Sequence, residues 1–75
     1  MKFRLTAKPT ESITVVFEPV AEEFTIAAGD HIIVEWTGGG LGEISLEPDH
    51  LMIGSPMGGD MRAWDSSGVE IPIFF

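Results

Sequence analysis

The chain has no cysteine and no tyrosine. Without cysteine there is no disulfide to staple a small fold, and no thiolate to hold zinc or to act as a nucleophile. The absence also accords with a reducing compartment. Basic residues are nearly as scarce. Lys2, Arg4 and Lys8 stand at the start, and Arg62 alone follows. Residues 9–75 therefore carry twelve carboxylates against one arginine, a balance of −11 within a total of −8. A nucleic-acid-binding surface needs clustered Lys and Arg to displace phosphate counterions. This field repels nucleic acid and anionic membranes and attracts basic protein surfaces. The same acidity keeps a small protein soluble. No hydrophobic run approaches the roughly 20 residues of a membrane helix. The opening MKFRLTAKPTE has no long apolar stretch behind its charges, so it is not a secretory signal. The expectation is a cytoplasmic protein with no membrane contact and no direct nucleic-acid contact.

Helical periodicity is missing as well. What replaces it is alternation with a period of two, the mark of half-buried strands. The parity places Phe3, Leu5 and Ala7 on one face, then Ile13, Val15 and Phe17, then Phe24 and Ile26. It continues through Ile32, Val34 and Trp36, Ile44 and Leu46, and Leu51 and Ile53. Met61 and Ala63 follow, and then Val69, Ile71, Ile73 and Phe75. These are the predicted core positions. Turn formers punctuate them: AAGD at 27–30, EPDH at 47–50, GSPMGGD at 54–60 and DSSG at 65–68. Gly68 is expected in a left-handed conformation. The prediction is a single all-β domain spanning 1–75, a small antiparallel barrel or sandwich of seven to eight short strands.

Several local patterns invite a chemical reading. WTGGGLGE at 36–43 is glycine-rich, but a phosphate cradle needs a helix after the loop to aim its N–H groups. Here a strand, EISLE, follows, the glycine spacing is wrong, and Glu43 repels phosphate. The loop reads as a hairpin connection. AWDSSG resembles the strand-ending Trp-Asp of propeller blades, yet one blade takes about 40–45 residues and a propeller needs several. AGDHIIVE and EPDHLMIG share Asp-His before an apolar run, a likeness that turn–strand junctions produce on their own. His31 and Glu35 share a strand face but lie about 13 Å apart along it, too far to hold one ion. His31 and His50 therefore read as surface histidines, with no metal or other cofactor expected. No serine sits in a nucleophile elbow, and so small a fold is expected to have little room for a catalytic cleft. The chain reads as a non-enzyme.

What remains is surface. The parity puts Val16, Ile33, Met52, Trp64 and Phe74 on outer faces. Pro72 lacks an N–H, which marks the last strand as an edge. Arg62 and Trp64 share a face and are placed to stack. The leading expectation is a non-catalytic, acidic interaction protein, inhibitor- or immunity-like, that docks on a basic protein surface. Trp64, Arg62 and Phe74 would anchor it, with Glu35, Glu43, Glu47, Asp49 and Asp60 supplying the field. Two alternatives stand beside it. One is self-association through the IPIFF tail as an edge strand. The other is a small metal- or ligand-binding barrel.

Overall fold

The computed structural model describes residues 1–73. They form eight strands and no helix: β1 (Lys2–Thr6), β2 (Ile13–Glu18), β3 (Glu22–Ile26), β4 (His31–Thr37), β5 (Glu43–Leu46), β6 (Leu51–Gly54), β7 (Asp60–Asp65) and β8 (Glu70–Ile71). Two four-stranded sheets result, ordered β1-β4-β7-β8 and β3-β2-β6-β5. They pack as a sandwich and do not close into a barrel. The predicted edge character of the last strand is realised, because β8 is the outermost strand of the first sheet.

Consecutive strands pair as hairpins where the turn chemistry is strong. Asp65 and Gly68 close the β7–β8 turn. Asp65 Oδ1 accepts the Ser67 and Val69 amides, and Gly68 has the expected positive φ of 88°. The Glu47 amide donates to the His50 carbonyl across the β5–β6 turn. β2 and β3 form a third hairpin. The glycine-rich loop at 38–42, expected to be a hairpin connection, instead crosses from one sheet to the other. The other pairings are non-local. β4 lies between β1 and β7, antiparallel to both. β2 lies beside β6 in parallel, the single departure from the antiparallel expectation among the described pairings. Parallel neighbours need a long crossover, and the chain supplies it by sending β4 into the opposite sheet between β3 and β5. The two Asp-His segments are therefore not equivalent. His31 opens a strand with two antiparallel neighbours, and His50 precedes one with a parallel neighbour.

The core fills the space between the sheets. Val15, Phe17, Ile26, Ile32, Val34, Ile53 and Ala63 are essentially sealed from solvent, and Phe3, Leu5, Ile13, Phe24 and Ile73 pack around them. Burying a side chain the size of Phe17 contributes about 1.5–3 kcal/mol. Trp36 closes one end. Its Nε1 donates to Met61 Sδ at 3.3 Å, and its ring meets Phe3 edge-on at 5.0 Å. No buried side-chain polar atom is left without a partner among the described residues.

Three predicted core residues are not core. Ile44 and Leu46 share the inward face with their register partners Ile53 and Leu51, but β5 is an edge strand and they stay exposed. Val69 belongs to the β7–β8 turn, because β8 is only two residues long, and it too is exposed. Phe75 lies outside the described residues.

Candidate functional site

Two loops at one end of the sandwich carry most of the glycine. The first joins β4 to β5 and holds Gly38, Gly39, Gly40 and Gly42. The second joins β6 to β7 and holds Gly58 and Gly59. They lock together at backbone distance. A Cβ on Gly59 would sit 2.0 Å from the Thr37 carbonyl oxygen, and one on Gly38 would sit 2.7 Å from the Gly59 Cα. A Cβ on Gly42 would enter the Trp36 ring. The glycines are thus required by close packing of two loops against each other and over Trp36. A strand leaves the first loop, so no helix terminus is present to bind phosphate.

The interlock thrusts two apolar side chains into solvent. Leu41 is 94% exposed and Met57 is 91% exposed. Both line a shallow depression of about 470 Å³ that also involves Glu18, Glu43 and Pro19 and no Lys or Arg. From there β5 continues the exposed apolar line through Ile44 (45%) and Leu46 (85%). Sequence parity placed Ile44 and Leu46 on the inward face, as the register has them, but carried no sign that this face is left uncovered at β5. A usable signal was Leu41 between glycines and Met57 between Pro56 and Gly58, since turn formers on both sides leave no strand to carry either residue into a core.

The strands of this sheet hold Glu18, Glu22, Glu23 and Glu43 and no basic residue. Ser45 and Glu47 lie on the outer face with Glu43, and the Ser45 hydroxyl donates to Glu47 Oε2 at 2.5 Å. Asp49 follows in the turn.

The opposite face has the reverse character. Strand register aligns Lys2, Glu35 and Arg62 in one row, and Arg4, Ile33, Trp64 and Glu70 in the next. The predicted stacking of Arg62 on Trp64 is present at 5.0 Å, and Lys2 Nζ lies 5.6 Å from the same half-buried ring. Glu70 takes Arg62 in a two-pronged pair at 2.8 and 3.0 Å. That guanidinium holds the Glu70 carboxyl below the usual glutamate range, and Glu70 in turn raises Arg62. Three of the four basic residues therefore sit around Trp64. Of the predicted site residues, Trp64, Arg62, Glu35 and Asp60 belong to this sheet, while Glu43, Glu47 and Asp49 belong to the other side of the sandwich. They do not form one patch. Phe74 lies outside the described residues.

A second groove, of about 410 Å³, opens at the far end between the β1–β2 and β5–β6 connections. It is larger than the sequence-based expectation of little room. Lys8, Ser12, Thr14, Asp49 and His50 line it, with His50 Nδ1 2.8 Å from Asp49 Oδ1. The ring, and then the backbone amide of Asp49, lower the Asp49 carboxyl. Asp30 is lowered by hydrogen bonding from Ser66 and from the His31 amide. Among the described residues no three His, Asp or Glu side chains converge as a metal site requires.

Compared with protein-family models, with curated proteins and with solved structures, the chain matches none. No helix of the described residues is long and apolar enough to cross a membrane.

Proposed function

We propose that the chain is a non-catalytic interaction protein, inhibitor- or immunity-like, that docks on a basic protein surface with an apolar centre. One observation carries this reading. Leu41 and Met57 stand bare around a depression that Glu18 and Glu43 also line, at the end of a sheet whose strands contain no Lys or Arg. An apolar centre inside a charged rim is the usual anatomy of a docking surface. The centre supplies affinity and the acidic rim steers encounter with a basic partner. The docking centre sits at Leu41 and Met57, since Trp64 is flanked by cations. The lack of cysteine supports a cytoplasmic setting.

The test is capture from lysate at low and high salt, with wild type, a Leu41→Ser/Met57→Ser double variant and Trp64→Ala. Capture of a basic protein that weakens with salt and with the double variant supports docking through this end. Loss with Trp64→Ala alone moves the interface to the Lys2–Trp64–Arg62 face. Capture indifferent to salt and to all three substitutions removes the proposal.

A small-ligand role is the second reading, supported by the groove lined by Lys8, Ser12 and His50. Thermal stabilisation by a ligand set, abolished by His50→Ala, is its measurement.

A further inference from the structure

β5 is an edge strand with unusual exposure. It is the outermost strand of its sheet, and both of its inward side chains, Ile44 and Leu46, are open to solvent. Its backbone phase follows from the turn. The Glu47 amide bonds the His50 carbonyl toward β6. In an antiparallel ladder bonded and non-bonded residues alternate. Ser45 and Glu43 therefore face β6 with their peptide groups, while the N–H and C=O of Ile44 and Leu46 point to the open edge. Among the described residues no strand pairs with that edge.

From this edge we infer that the partner adds a strand to β5, contributing an extended segment in which apolar and basic residues alternate. The inference rests on the docking function proposed above and names the form of the partner. Strand addition draws affinity from main-chain hydrogen bonds and specificity from alternate side chains. Opposite residues of a strand pair share a face. The added segment thus places apolar residues opposite Ile44 and Leu46, which extends the core over them. On the outer face it places basic residues opposite Glu43 and Glu47 and a small polar residue opposite Ser45.

The same charges argue against a second copy of this chain. If two β5 strands pair about Ser45, Ile44 meets Leu46 of the second copy, but Glu43 meets Glu47 twice over. Like charges directly opposite destabilise a sheet. If they pair about Ile44, Leu46 falls opposite Gly42 and gains no apolar cover. Acidic residues on an edge are a common guard against self-pairing, and here they leave the edge selective for cations.

The probe is a synthetic peptide with a Lys-Val-Ser-Val-Lys centre, titrated into the full chain by calorimetry and by amide resonances. A peptide of the same composition with its valines adjacent is the control. The expected result is binding that weakens with salt, is absent for the control, and slows hydrogen exchange of the Ile44 and Leu46 amides. Ile44→Pro removes only an outward N–H, a position where an edge tolerates proline. It is expected to cost at least about tenfold in affinity while the fold persists. Should that variant fail to fold, peptide N-methylated at the amides facing β5 is expected not to bind wild type. Equal binding of the two peptides, or no effect of Ile44→Pro in a folded chain, overturns strand addition. A chain that still captures its basic partner through Leu41 and Met57 but takes no peptide at β5 loses this inference and keeps the docking function. A dimer in sedimentation that Ile44→Pro abolishes assigns the edge to a second copy and overturns the assignment to a partner.

Discussion

Gly59 approaches Thr37 so closely that a Cβ on the glycine would lie 2.0 Å from the threonine carbonyl oxygen. No rotamer relieves that clash, because both groups are backbone. Gly59→Ala is therefore expected to destabilise the fold by about 3 kcal/mol, the upper range for overpacking. At about 4–8 °C per kcal/mol the melting temperature drops by more than 10 °C. Gly39, in the facing loop, has nothing within 4 Å of its would-be Cβ. Gly39→Ala should stay within about 0.5 kcal/mol of wild type. Equal melting temperatures for the two variants would refute the interlock.

Phe17 is completely buried between the sheets. Truncation to alanine removes its transfer energy and leaves a cavity, a loss of about 3–5 kcal/mol. Domains hold only about 0.05–0.15 kcal/mol per residue in total. Phe17→Ala is thus expected to lose a large share of the fold's stability and to melt more than about 10 °C below wild type by circular dichroism, whereas Leu46→Ala, at an exposed position, should melt close to wild type.

The two tryptophans report on different places. Trp36 is buried against Phe3 and Met61, and Trp64 is half-buried on an outer face. Acrylamide is expected to quench the fluorescence of Trp36→Phe more strongly than that of Trp64→Phe. The opposite order would mean the sheet faces are exchanged.

Glu70 has its carboxyl pKa lowered by Arg62, so it favours the folded state when ionised. That contribution is fully present above the ordinary glutamate value of 4.5 and is lost as pH falls through the lower folded value. The stability difference between wild type and Glu70→Gln should shrink as pH is lowered through that window. Comparison of the two proteins cancels the relief of repulsion that protonation brings to a chain of charge −8. The pair is exposed, so the difference is small and is reduced by salt. A difference that widens on acidification would contradict the pairing.

Glu43 and Glu47 guard the β5 edge. The wild-type chain is expected to sediment as a monomer, and a Glu43→Ser/Glu47→Ser variant to self-associate through Ile44 and Leu46. A wild-type oligomer, insensitive to β5 substitutions, would instead favour assembly through the β8 edge and the tail that follows it.

Strand-only architecture, the two-residue parity of Val15 with Phe17 and of Ile32 with Val34, and the turn at Gly68 were all determined by the sequence itself. Each depends on local sterics: side chains of a strand alternate, and a hairpin needs a residue tolerant of positive φ. Tertiary structure alone decided that β2 lies parallel to β6, that β5 forms an edge, and that Ile44 and Leu46 are left uncovered. Their parity toward the core was legible, but exposure depends on what lies across from a strand, and no local pattern carries that. The same holds for charge. Lys2 and Arg4 of β1 lie far from Arg62 of β7 in the chain, and only the register of β1, β4 and β7 gathers them on the face of Trp64, leaving the strands of the opposite sheet with carboxylates and no cation.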